Sequence, residues 1–142
     1  MNKERVPLTK VPLTKEGLER LESELHDLRT TRRVEVAKEI REAQALSTDQ
    51  SDGQYEDAKN QQAFLEGRIR EIEKLLERAE LIDEQAAHGS KDIRIGSTVT
   101  VRGKGATKQT FQLVGPAEAN PSEGRISYES PVGQALIGKK RN

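Results

Sequence analysis

Tyr55, Ala58, Gln62, Leu65, Ile69, Ile72, Leu76 and Ala79 follow one another in alternating steps of three and four residues. That spacing turns one side of a helix toward a partner and predicts one arm of a coiled coil. Upstream, Leu18, Leu21, Leu25 and Leu28 keep the same steps and predict the other arm. Between the two runs, Leu46 to Gln54 has no apolar periodicity. Two helices joined by a polar tip predict an antiparallel hairpin with a chemically distinct end. Around Arg32 the strict heptad slips, and Val36, Ile40 and Ala43 carry the seam onward, which predicts a stutter. Thr14 is placed to cap the first helix, with Glu16 adding negative charge at the positive end of its dipole, and that helix is expected to reach about Gln44. Ser51 or Asp52 is expected to cap the second, which should run to about Gln85. At 1.5 Å per residue, arms of ~30 residues would each be ~45 Å long. Gly67 lies inside the second arm, where it costs roughly 1 kcal/mol against Ala and so points to a close helix approach.

After His88-Gly-Ser the pattern changes to short β-branched runs: Ile93 to Ile95, Thr98 to Val101, Thr110 to Val114 and Arg125 to Tyr128. Gly103, Gly105, Gly115 and Pro116 separate them as turns. Ser130 to Gly138 predicts a short helix closed by its final glycine. The fold class expected is α+β, an antiparallel helical hairpin followed by a small β-rich domain. Val6 to Lys10 is repeated at once as Val11 to Lys15, and only one copy can sit directly before the helix. The expected division is therefore a flexible tail over residues 1–13, a hairpin over 14–87 with its tip near 46–54, and a C-terminal domain over 88–142.

Composition supports an elongated helical protein with a small body: 32% of the 142 residues are apolar, 3% aromatic and 34% charged. The net charge of zero hides a partition. Residues 16–85 carry eleven basic and nineteen acidic residues, whereas residues 86–142 carry nine and four. The acidic hairpin is a poor candidate for coating nucleic acid, while the basic body suits either nucleic acid or an acidic protein surface. Absence of Cys excludes a disulfide framework and a thiolate site or nucleophile. No apolar run approaches the ~18 residues that span a bilayer, so a cytoplasmic protein with no membrane partner is expected. His26 and His88 lack further ligands at metal spacing, and no catalytic triad or phosphate-cradling glycine loop is legible, so independent catalysis and a small-molecule substrate are not expected.

The run Asn60 to Glu73 with Ala79 to Asp83 resembles the bacterial Gre transcript cleavage factors, as do Pro12 to Gly17, Arg32-Arg33, Tyr55 to Lys59 and Ser130 to Lys139. The resemblance covers residues 12–139. It implies an antiparallel coiled coil, a C-terminal domain similar to FKBP folds, and bacterial RNA polymerase as partner. In that family the coiled coil enters the secondary channel while the C-terminal domain grips the rim. Tip carboxylates then reach the polymerase active centre near the 3′ end of backtracked RNA, where they help hold a Mg²⁺ ion shared with the polymerase and orient a water for cleavage. No cofactor is expected on the chain alone. Two-metal phosphodiester hydrolysis needs such hard oxygen ligands and an oriented nucleophile.

Two departures follow from the same resemblance. Cleavage-active relatives place tip acids seven and four residues before the tyrosine; here those positions are Thr48 and Ser51, and the candidate carboxylates, Asp49 and Asp52, sit one residue nearer Tyr55. The family also continues beyond Lys139 with two further strands, so the C-terminal domain is expected to be incomplete. Lys59 is the candidate for steering RNA, with Tyr55 and Arg68 as further RNA or polymerase contacts; for Arg68 a surface ion pair is the simpler expectation. Two other functions compete with stimulated cleavage. One is a channel-occupying homologue that inhibits the polymerase, and the other a structural coiled-coil adaptor.

Overall fold

The computed structural model describes residues 10–46, 49–103, 105 and 107–140, with backbone alone at 49–52. Thr14 caps α1 (Lys15–Asp27): its Oγ1 accepts from the Gly17 N–H at 3.0 Å, and its carbonyl accepts from the Leu18 N–H at 2.9 Å. The first bond satisfies an amide that the first helical turn leaves open, and the second begins the regular ladder. The anticipated stutter is a π-helical turn over Leu28–Arg32, in which the Arg33 N–H donates to the Leu28 carbonyl five residues back. Val36 follows Leu28 by one residue more than a heptad. The wider turn absorbs that residue, so that in α2 (Arg33–Ala45) Val36 and Ala43 are buried as Leu21 and Leu25 are. Thr30 Oγ1 donates to the His26 carbonyl at 2.8 Å, a back-bond that competes with the regular ladder on this turn.

Helix α3 spans Asp49–Glu77 and buries Ala58, Leu65, Ile69 and Ile72. Arg33 pairs with Glu66 while Glu39, Glu42 and Ala43 line one groove with Gln54, Asp57 and Ala58, so α2 and α3 run antiparallel. Three expectations for this arm are corrected. Neither Ser51 nor Asp52 caps the helix, because it already begins at Asp49. It does not reach Gln85. Gly67 meets no close neighbour, for nothing lies within 4 Å of where its Cβ would stand.

What ends α3 is a strand, β2 (Ala79–Leu81), which pairs in parallel with β1 (Val11–Leu13). The Val11 N–H donates to the Arg78 carbonyl and the Ile82 N–H to the Leu13 carbonyl, each at 2.8 Å. A flexible tail through residue 13 is therefore corrected for residues 11–13; residues 1–9 lie outside the described part of the chain. Two compact units result: Glu19–Glu77, the hairpin, and a body formed by the chain up to Leu18 with Arg78–Asn142.

In the body, Asp83 caps α4 (Glu84–His88), its Oδ1 accepting from the Ala86 N–H at 3.0 Å. Strands β3 (Thr98–Arg102), β4 (Lys108–Val114) and β5 (Arg125–Ser127) form a sheet in that order, β3 and β4 antiparallel, β4 and β5 parallel. Leu13, Ala87, Leu113, Val114 and Ile126 are its buried apolar residues. Ile93 to Ile95 is not a strand. There the Ser97 N–H donates to the Arg94 carbonyl, and Gly96 takes a φ of 97° under the Ile82 side chain, which makes a turn. Helix α5 (Pro131–Leu136) is capped by Ser130, and Gly138 follows it with a φ of 80°. No helix among the described residues is long and apolar enough to cross a membrane.

Candidate functional site

Because α3 is helical from its first residue, the positions near the tip have a defined register. At ~100° per residue, Asp49, Asp52, Glu56 and Lys59 share one stripe, on the side of α3 away from the seam residues Ala58 and Leu65. Sequence spacing thus brings together the two candidate acids, a third acid and the candidate basic residue. Side chains of Asp49 and Asp52 lie outside the described residues, as does all of Thr48. Lys59 is exposed, and its Nζ donates to Gln62 Oε1 at 3.3 Å. Among the described residues no carboxylate pairs with it. Tyr55 is half-buried beside the seam.

Arg68 lies elsewhere, about 140° around the helix from that stripe. Its Nε and a terminal nitrogen donate to the two oxygens of Glu24 at 2.7 and 2.9 Å, and it also pairs with Glu71 at 3.1 Å. The fork-to-fork bond joins the arms, and the Arg68 guanidinium holds the Glu24 carboxyl below its ordinary range while its own pKa is raised. This engagement removes Arg68 from the free cations on which a partner contact could be built.

A second clamp has the same form. Arg33 donates from Nε and a terminal nitrogen to Glu66 at 2.9 and 2.8 Å, depressing the Glu66 pKa, and Arg29 reaches Glu73. Sequence reading missed these pairs. Opposite charges flanking the seam were visible, but matching them needs the register of the two arms, which the π turn displaces by one residue. Nearer the tip, a groove of about 220 Å³ lies over the small seam residues Ala43 and Ala58 between acidic walls, Glu39 and Glu42 on α2 and Asp57 on α3. Among the described residues, no three His, Asp or Glu side chains converge as a metal site.

A family profile described as the N-terminal part of transcription elongation factors matches residues 11–81, and one described as the C-terminal part of transcription elongation factors GreA/GreB matches residues 88–142. The chain belongs to the GreA/GreB transcription elongation factor family. It is 54% identical over 130 residues to transcription elongation factor GreA of Chloroflexus aurantiacus, covering 90% of this chain and 82% of that one. With GreA of Thermomicrobium roseum it shares 47% over 131 residues, covering 92% and 83%. Among solved structures, GreA factor homolog 1 of Thermus thermophilus matches at 36% identity with a TM-score of 0.50, over 92% of this chain and 84% of that one. As a Gre factor the chain is a transcription elongation factor, and the structural-adaptor reading gives way to it. Identity to GreA well above that to the homologue likewise does not favour the inhibitor reading.

Proposed function

We propose that this Gre factor acts in the cytoplasm on bacterial RNA polymerase, entering its secondary channel with the hairpin and stimulating cleavage of backtracked RNA so that arrested complexes resume. The observation that carries this reading is the tip: α3 starts on Asp49, so Asp49 and Asp52 both fall in the first turn of the arm. They share a helical face. Mg²⁺ takes about six oxygen ligands, so two carboxylates are too few to hold the ion alone and suited to completing a shell shared with the polymerase. When bound there, the ion supplies charge neutralisation at the scissile phosphate. Asp49 and Asp52 bind and orient, and Lys59, on the same stripe and without a carboxylate partner among the described residues, draws the RNA 3′ segment toward them. Clamps at Arg33–Glu66 and Arg68–Glu24 keep the arms in one register while the tip is engaged. The factor is accessory, since the reacting bonds lie in the polymerase.

Stalled, backtracked elongation complexes incubated with the protein and Mg²⁺ test the proposal. Shortened transcripts that resume extension support it. Slowed extension without shortening would show channel occupation alone, and an unchanged transcript pattern without binding would remove the polymerase as partner.

A further inference from the structure

Phe64, in the middle of α3, is the most exposed large apolar side chain among the described residues, with 82% of its surface open. Two neighbours that could cover its ring do not. A helical side chain lies over the turn N-terminal to its own Cα, so the positions that would shield Phe64 are those three and four residues on. Gly67 has no side chain to offer. Nothing lies within 4 Å of where its Cβ would stand, so no packing in the described chain explains a residue that weakens the helix. Arg68 could lay its guanidinium over the ring, but Glu24 on the other arm holds it at 2.7 and 2.9 Å. One turn before Phe64, on the same side of α3, Gln61 lines the groove of about 220 Å³ over Ala43 and Ala58. The walls of that groove carry Glu39, Glu42 and Asp57 and no Lys or Arg. Glu42 meets Lys38 at 3.9 Å, whereas Glu39 and Asp57 have no cationic partner among the described residues.

We propose that this flank of the hairpin docks on the wall of the polymerase channel and takes up one arginine from it. The arginine's stem lies over Ala43 and Ala58, its guanidinium meets Glu39 and Asp57, and the segment that carries it packs on the Phe64 ring beside Gly67. The proposal deepens the reading above and rests on the hairpin entering that channel. Charge and shape choose the occupant. A floor of two methyl groups suits an aliphatic stem, and the carboxylates call for a cation at its end. A guanidinium, planar and weakly hydrated, suits an aromatic rim better than an ammonium does. At Gly67 the partner's backbone can come close. Neither rival fits as well. A second copy of this chain would set two acidic hairpins face to face, since residues 16–85 carry nineteen acids against eleven bases. A nucleic acid could stack a base on Phe64, but its phosphates would meet the carboxylates.

Fluorescein-labelled full chain, titrated with core RNA polymerase and followed by anisotropy, tests it. So does photo-crosslinking in backtracked elongation complexes, with p-benzoylphenylalanine in place of Phe64. Phe64→Ala should weaken polymerase binding by about tenfold or more, the scale of losing an interface anchor. The pair Glu39→Gln and Asp57→Asn should weaken it similarly and reduce its dependence on salt. Gly67→Leu should weaken binding without lowering the melting temperature, because Leu favours helix and meets open space there. The crosslinked polymerase peptide should contain an arginine. Failure of the unsubstituted chain to bind would overturn the channel reading and this inference with it. Binding by the unsubstituted chain that all three variants match would overturn the inference alone, as would a crosslinked peptide without arginine, or crosslinks to RNA or to a second copy.

Discussion

Glu118 shows how a single side chain can hold a helix start from far along the chain. Its Oε2 accepts from the Thr14 N–H at 2.7 Å and its Oε1 from the Thr14 hydroxyl at 2.6 Å, while that hydroxyl caps Gly17. A Cβ on Gly17 would stand 2.1 Å from Glu118 Oε1. Glu118→Ala should therefore cost about 1–2 kcal/mol in urea denaturation, because the buried Thr14 N–H loses its acceptor. Gly17→Ala alone should also destabilise. In the Glu118→Ala background its sign should reverse to a gain of up to about 1 kcal/mol, since the space is then free and Ala favours helix. Additive effects would disprove the steric coupling. For Glu24 the sign of the pH dependence follows from its lowered pKa: the stabilisation is present above the ordinary carboxylate pKa and is lost as pH falls through the depressed folded value. Glu24→Gln should flatten the fall in melting temperature below pH 4.5, the ordinary value. With both partners over a third exposed, solvent screening limits the effect at neutral pH to about 0.5 kcal/mol. At the tip, Asp49→Asn with Asp52→Asn should reduce transcript cleavage by about 10²-fold, the scale of losing transition-state stabilisation, with polymerase binding retained. Unchanged cleavage in that variant would take both residues out of the mechanism.

The π turn gives the sharpest test among the elements. If it exists to absorb one surplus residue, deleting Thr31 should turn Leu28–Arg32 into plain α-helix and restore a strict heptad to Val36 and Ala43, leaving stability within about 1 kcal/mol. Inserting one Ala beside Thr31 should instead rotate the seam of α2 by ~100° and cost about 2–3 kcal/mol as Val36 and Ala43 leave the buried side. Equal melting temperatures for deletion and insertion would show that the turn does not set the seam. Heptad steps, the Thr14 cap, the slip near Arg32 and strands β3 to β5 were legible because each is written in local spacing or in one residue's chemistry. The β1–β2 pair was not, since Val11–Leu13 finds Ala79–Leu81 through main-chain bonds across most of the chain, and Ala79 also extends the seam pattern that argued for helix. Position did identify Asp49 and Asp52 as tip residues. It did not fix their register, because Gly53 and the polar run suggested a loop where α3 had already begun. That continuity sharpens the departure at the tip: one residue along a regular helix means that Asp52 is rotated by ~100° and shifted by ~1.5 Å relative to Ser51.

Across the whole molecule, Glu19–Glu77 and the body are separate compact units with different kinds of support. The hairpin depends on a seam of Leu, Ile, Val and Ala with ion pairs between its arms, and the body on two small sheets with Leu13, Leu113 and Val114 at their centre. A segment's opening free energy reflects the contacts that must break with it, so two compact units should open separately. Hydrogen exchange on the full chain can resolve this. Glu118→Ala should speed exchange at the Val11, Ile82 and Gln112 amides and leave Leu65 and Ile69 at their original rates. Replacing Arg33 and Glu66 together by Ala should do the reverse, loosening α2 and α3 while the β3–β5 sheet keeps its protection. Uniform acceleration throughout the chain by either variant would mean that the two units fold as one, and that a weakened body would carry the hairpin down with it.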